Sequence, residues 1–257
     1  KETRWAGEKG KKIICYGEQG IGDEISFASC IPELIRDSQQ VVIDCDGRLK
    51  HLFRRSFSRC EVYGSRYVKG PQPWHEKHEF DHKVSMGALP QFYRNEDRDF
   101  PGTPYLVSNP EMNIQWRALL DSLGPGLKVG LSWIGGGVHT GRNWRSVSLD
   151  TLLPILKIPC HWVSLQYQDP WDDIEAFEAK HGLKIHHWAH GTQLYDYDVT
   201  ASLISQLDLV ISVTTTAIHM AGALGKECWC LVPQRPMWRY GGIGEDFPLA
   251  KSVTLFR

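Results

Sequence analysis

Two short polar stretches carry the residues best suited to chemistry. The first, Gly17-Glu18-Gln19-Gly20-Ile21-Gly22-Asp23-Glu24, follows the apolar run Ile13-Ile14-Cys15-Tyr16; the second, Ser212-Val213-Thr214-Thr215-Thr216-Ala217-Ile218-His219, follows Leu207-Asp208-Leu209-Val210-Ile211. Each reads as a buried parallel strand passing into a helix through a polar turn, and such strand ends are where open α/β sheets bind ligands. In the second turn, the hydroxyls of Thr214, Thr215 and Thr216 stand beside the unpaired N–H groups of a helix beginning near Ala217. The dipole of that helix favours an anion at this end. The same pattern also serves as an ordinary Ser/Thr cap without a ligand. His219 lies three residues after Thr216 and projects near the same end of the helix; a satisfied structural histidine is its simpler role.

In the first turn, Asp23 stands at the entry of a helix. An ionised carboxylate there has the reach of a general base, and it is equally an N-terminal cap and dipole partner. Glu18 in the same loop is the alternative base. Gly20 and Gly22 let the backbone approach a ligand closely, or simply make the turn. Their Gly-x-x-Gly-x-Gly spacing differs from the Gly-x-Gly-x-x-Gly of dinucleotide folds, although Asp44 and Asp46 sit where a ribose-binding acid would stand, so an NAD-linked enzyme is the weakest reading.

Arg142 and Arg145 follow the strand Lys128–Trp133, within Gly141-Arg142-Asn143-Trp144-Arg145-Ser146. A guanidinium in this loop either clamps diphosphate oxygens bidentately or remains a solvated charge. Gln166 ends the strand His161–Leu165; its amide reads a base edge or, the favoured role, ties the strand-end loop together. Asp44-Cys45-Asp46 matches a short metal-binding pattern, and His75, His78 and His82, or His186, His187 and His190, can be drawn as clusters. None has the Cys, His or Glu partners of a recognised site, so no metal site is expected.

The elements that must position these residues alternate. The first half predicts strands near Ile13–Tyr16, Val41–Cys45 and Glu61–Tyr63, helices near Asp23–Arg36 and Arg48–Ser56, and a short strand around Asp81–Val84 inside a loop-rich stretch from Gly70 to Pro110. A helix from Glu111 closes at Leu123-Gly124-Pro125-Gly126, a stop signal that places the domain boundary there. The second half predicts strands Lys128–Trp133, His161–Leu165, Lys184–His186, Leu209–Ser212 and Cys228–Val232, with helices near Leu149–Leu156, Pro170–His181, Thr200–Gln206 and Thr216–Leu224. Strands separated by single helices build parallel sheets. The expected fold is therefore α/β, with two Rossmann-like domains, residues 1–124 and 125–257, facing one cleft.

Composition narrows the function. A net charge of -1 in 257 residues leaves no global field to attract a polyanion, so nucleic acid is not an expected partner. Seven cysteines without a Cys-x-x-Cys pair, several within apolar runs, indicate a reduced cytoplasmic protein. No run approaches the roughly 20 apolar residues of a membrane span, and the polar start is unlike a secretory signal. That start lacks an initiator Met and is expected to be cut from a longer polypeptide.

Several stretches in matching order resemble one family. They include Arg4-Trp5-Ala6-Gly7-Glu8, the run Tyr16 to Glu24, Gly87-Ala88-Leu89-Pro90, Pro104-Tyr105-Leu106, the run Val129 to Gly136, Arg145-Ser146, Ser164-Leu165-Gln166 and the run His219 to Lys226. The chain is similar to the glycosyltransferase-like domain that follows tetratricopeptide repeats in many bacterial proteins, related to lipopolysaccharide heptosyltransferases and more distantly to O-linked N-acetylglucosamine transferases. The resemblance implies a GT-B architecture and a glycosyltransferase that needs no cofactor or metal beyond its nucleotide-sugar donor. It implies a donor held mainly by the second domain and a sugar, lipid-linked glycan or protein acceptor facing the first, with tetratricopeptide repeats upstream. It assigns Asp23 as base and a basic residue of the second-domain loop to the diphosphate, Arg145 being the better match. Where the heptosyltransferases carry an Asp-Thr pair, this chain has Thr214-Thr215. That departure keeps a second reading open, a module that binds a nucleotide sugar or glycan without turning it over.

Overall fold

The computed structural model describes residues 3–137 and 141–257. The chain divides into two compact units: the first runs to Pro101 and includes Tyr105–Ser108, and the second comprises Gly102–Pro104 and Asn109–Arg257.

The first unit is built on β1 (Thr3–Arg4), β2 (Lys12–Tyr16), β3 (Gln40–Asp44), β4 (Glu61–Tyr63) and β5 (His82–Ser85). Among the described residues these form a parallel sheet in the order β1-β5-β2-β3-β4. Ile13, Ile14 and Cys15 of β2 are fully buried, the continuous apolar run of a parallel strand covered on both faces. The accompanying helices are α1 (Ile21–Phe27), α2 (Ile31–Asp37), α3 (Lys50–Ser56) and the short α4 (Pro90–Tyr93). The single helix predicted over Asp23–Arg36 is divided by a 3-10 turn at Ala28–Cys30. Pro32 explains the break: it has no N–H to donate, and its ring opposes the carbonyl one turn before it.

The second unit holds α5 (Pro110–Asp121), β6 (Lys128–Ser132), α6 (Leu149–Leu156), β7 (His161–Ser164), α7 (Trp171–His181), β8 (Ile185–His186), α8 (Tyr197–Gln206), β9 (Leu209–Val213), α9 (Thr216–Ala223), β10 (Cys228–Leu231) and β11 (Val253–Phe256). Among the described residues its sheet is parallel, in the order β11-β10-β9-β6-β7-β8. One face is filled by a cluster that includes Leu131, Trp133, Leu152, Trp162, Ile174 and Phe177.

The division differs from the one expected at residue 124, because α5 belongs to the second unit. Its Trp116 and Leu120 are buried, and it is bonded to α8 through Ser205 Oγ to Asn113 Oδ1 at 3.1 Å and Arg117 Nε to Gln206 Oε1 at 3.0 Å. The Gly-Pro-Gly stop ends a helix locally, but the surface that buries the helix's apolar face decides which unit it joins. Helix α8 starts earlier than predicted because Asp196 caps it, accepting from Asp198 N at 2.9 Å. The edge strands β1 and β11 were not expected; β1, of two residues, is too short to show a period of its own.

Strand order locates the ligand crevices. In the first sheet the chain moves from β2 to β3 and β4 on one side, then crosses back to β5 on the other, so the direction reverses between β2 and β5. In the second it reverses between β6 and β9. Open α/β sheets bind ligands at the carboxyl ends of the strands flanking such a reversal. Both polar turns found in the sequence stand there, after β2 and after β9.

The turn after β2 depends on Gly17, where an added Cβ would lie 2.3 Å from the carboxyl carbon of Glu24. Glu24 is buried and anchored, so it cannot yield. Gly17→Ala should destabilise the chain by about 2 kcal/mol in denaturant unfolding; an unchanged midpoint would show that the carboxylate can move aside.

Candidate functional site

In the first unit, Gly17 N–H closes on the carbonyl of Asp44 at 2.8 Å, and α1 begins with Asp23 and Glu24 N–H both donating to Gly20 O. Asp23 Oδ2 accepts from Gly20 N–H at 3.0 Å, so the proposed base is also the helix cap. Gly22 lies within α1, its carbonyl accepting from Ser26 Oγ at 2.8 Å. Glu18 is exposed and receives Gln19 Nε2 at 3.4 Å. The turn after β5 comes close: a Cβ on Gly87 would stand 2.4 Å from Glu18 Oε1. The Gly87-Ala88-Leu89-Pro90 segment therefore packs against Glu18 and Gln19 at the reversal point.

Beneath this turn lies a polar network that sequence reasoning missed. Glu24 is 1% exposed and accepts from Asp46 N–H at 2.8 Å and from Arg66 Nη1. Arg66 also donates to the Gln19 carbonyl. Burial holds the Glu24 carboxyl above its usual range, against the opposing Asp46 hydrogen bond and Arg66. Glu24 stands inside the quoted motif, but the pairing joins residues 42 positions apart, which no local spacing encodes. Asp44 and Asp46, the weak metal pattern, have internal partners. Asp44 accepts from Ser65 N, Ser65 Oγ and Trp74 Nε1 at 2.8 to 2.9 Å. Asp46 accepts from Arg48, including Nη2 at 2.6 Å; burial pushes its carboxyl up, but the Arg48 hydrogen bonds and charge bring it below the usual value.

In the second unit, Thr215 caps α9: its Oγ1 accepts from Ala217 N–H at 3.3 Å and meets Ser212 Oγ at 3.0 Å. Thr215 and Thr216 line a recess together with Ser132, Thr192, Thr200, Tyr167 and Tyr197. Its volume of about 20 Å³ suits a single small group such as a phosphate oxygen or a water. Its wall mixes these hydroxyls with the apolar Leu165, Ala217 and Met220 and includes the amino terminus of α9, the end of a helix that favours an anion.

Side chains tie the described residues of the loop after β6. Gln166 has no exposed surface; its Oε1 accepts from Trp133 N at 3.2 Å and Ile134 N at 3.1 Å, and its Nε2 donates to Ile134 O at 3.2 Å. Its amide thus serves the loop rather than a base edge. Arg145 donates through Nε to Thr214 Oγ1 at 3.1 Å and through Nη2 to Thr214 O. Gly135 makes room for it, since a Cβ there would stand 2.4 Å from the Arg145 carbonyl. Arg142 turns away, Nε to Gly136 O at 3.2 Å. The structure brings Arg145, Thr214, Thr215 and Thr216 together at one end of β9. His219 is not in the recess wall: it is 7% exposed, with Nε2 at 3.1 Å from Tyr240 Oη. Tyr240 in turn stacks on Phe247. A groove of about 410 Å³ between α6 and α7 contains no site residue expected from the sequence.

Known proteins share this architecture. The glycosyl transferase family 9 structure from Veillonella parvula superposes with a TM-score of 0.69 at 10% identity, covering 99% of this chain and 88% of that one. The E. coli ADP-heptose lps heptosyltransferase II gives 0.61 at 13% identity, covering 96% and 90%. At such identities the likeness is one of fold. Among curated proteins, the chain is 31% identical to Protein FlbA of Caulobacter vibrioides over 99% of its own length and 45% of that protein's, so it spans about half of that relative. No family model matches the chain. The fold is α/β with two parallel sheets, shared with glycosyltransferase family 9 and heptosyltransferase structures, and no described helix is long and apolar enough to cross a membrane.

Two measurements test this description. Gln166→Ala leaves the buried Trp133 and Ile134 N–H groups without their acceptor and should cost about 2 kcal/mol; a loss within error in chemical unfolding would show that water replaces the amide. Glu24 gives a pH signature. An acid whose value is raised on folding contributes stability that is fully present below its unfolded value, near 4.5, and is lost as pH rises through the folded value. The stability of the wild type minus that of Glu24→Gln should therefore fall as pH rises above the unfolded value near 4.5. A flat difference would contradict the burial effect.

Proposed function

We propose that the chain is a glycosyltransferase domain that moves a sugar from a nucleotide-sugar donor to a hydroxyl of a sugar, a lipid-linked glycan or a protein. The observation that carries this reading is the second-unit reversal point, where the amino terminus of α9 and the hydroxyls of Thr215, Thr216 and Ser132 line a recess and the Arg145 guanidinium is bonded to the adjacent Thr214. Transfer builds negative charge on the departing phosphate, and fixed donors aimed at that oxygen lower the barrier. In this reading the helix terminus, the hydroxyls and the guanidinium neutralise the leaving group, and no metal is required. Asp23 takes the proton of the acceptor hydroxyl; a carboxylate offers about four lone-pair sites, so capping Gly20 is compatible with that task. His219 supports α9 from within through Tyr240. The fold shared with heptosyltransferases favours the same reading.

Arg145→Ala should weaken binding of nucleoside diphosphates about tenfold or more, the worth of a charge-assisted hydrogen bond, as read by calorimetry. Asp23→Asn should reduce transfer by about 10²- to 10⁴-fold while leaving donor binding intact. Unchanged turnover in that variant would remove Asp23 from the mechanism.

One observation favours a second reading, a module that binds without turnover. The Arg145 guanidinium already donates to the Thr214 carbonyl and hydroxyl, and Thr214 stands where the heptosyltransferases carry an acid. Incubation of purified protein with nucleotide sugars separates the two, since a pure binder releases no nucleotide above the uncatalysed rate.

A further inference from the structure

The first unit contains a coupling that the proposed reaction does not by itself require. The carbonyl of Gln19 and the N–H of Gly20 belong to one peptide group, which is planar and rotates as a unit. Arg66 Nη1 donates to the carbonyl, and Asp23 Oδ2 accepts from the N–H at 3.0 Å. Arg66 and Asp23 therefore hold opposite ends of a single plane. The same Arg66 nitrogen donates to Glu24 Oε1, and Glu24 is fixed to the end of β3 through Asp46 N–H at 2.8 Å. The Arg66 side chain is 14% exposed and that of Glu24 is 1% exposed, so neither can swing into solvent without leaving the other's charge poorly compensated.

We infer that Arg66 is the positioning residue of the turn after β2: through the Gln19–Gly20 peptide and the buried Glu24, it sets the orientation of the Asp23 carboxylate. The functional consequence rests on the reading of Asp23 as base. Rotation of the peptide would turn its N–H away from Asp23, and Arg66 and Asp23 oppose that rotation from the two ends. A guanidinium on the carbonyl also polarises the amide and strengthens its hydrogen bond to the carboxylate. Arg66 comes from the segment following β4, so the orientation of a residue in the first turn is set by a segment distant in sequence. Arg66 also lies over the exposed Tyr67 ring, 4.7 Å from its centroid.

The test uses Arg66→Lys, which keeps a cation beside Glu24 and so preserves the fold, with Arg66→Gln as the stronger change. In both, the Gly20 amide resonance should move upfield and its hydrogen exchange should accelerate at least tenfold, as in Asp23→Asn. Turnover of nucleotide sugar should fall at least tenfold with the donor KM and the affinity for nucleoside diphosphates within twofold of the wild type. Combining Arg66→Lys with Asp23→Asn should reduce turnover no further than Asp23→Asn alone. An unaltered Gly20 amide in the arginine variants, or additive losses in the double variant, would overturn the inference. Normal turnover in Asp23→Asn with a responsive Gly20 would instead support the coupling and remove only the role of Asp23 as base.

Discussion

A central parallel strand that ends at a reversal of sheet direction leaves backbone polar groups beyond its last ladder bond, and those groups must still be paired. The two units meet this constraint in the same way, with one buried polar side chain fixing the loop. In the first unit Glu24 receives the Asp46 amide and the Arg66 guanidinium that grips Gln19. In the second, Gln166 receives the Trp133 and Ile134 amides and returns a hydrogen bond to Ile134 O.

The two solutions differ in charge. Gln166 is neutral and fully buried, so it clamps its loop at all pH values at the ordinary cost of a satisfied amide. Glu24 is an acid in a low-dielectric setting, tolerable because Arg66 stands beside it and the Asp46 amide completes its shell. The first turn is therefore tied to a charge pair and the second to a neutral hydrogen-bond set. Glycine makes both possible: Gly17 leaves room for the Glu24 carboxylate, and Gly135 leaves room for the Arg145 backbone.

The site residues divide by what the structure does with them. Thr215 and Thr216 line the recess, with Arg145 and Thr214 bonded beside them. Asp23 caps α1 at the first reversal point, and Glu18 is exposed next to the turn after β5. Gln166, His219 and Arg142 have partners elsewhere: the β6 loop, Tyr240 and Gly136. Pattern reading identified the turns because strand-to-helix punctuation is local. It did not separate ligand-facing groups from supporting ones, because that depends on which side of a buried strand each chain end emerges.

From the sequence alone came the alternation of buried strands and amphipathic helices, hence two parallel α/β sheets, and the position of both polar turns, since apolar periodicity and Gly, Pro and Ser/Thr punctuation act over a few residues. Tertiary structure alone decided the strand order that places those turns at reversal points, the membership of α5 in the second unit, and the pairing of Glu24 with Arg66; the division of the first long helix at Pro32 was local and legible in the sequence. The physical reason is range. Strand order, helix docking and buried ion pairs are fixed by contacts between residues far apart in the chain, where the energy of burying a surface or a charge depends on what arrives from elsewhere.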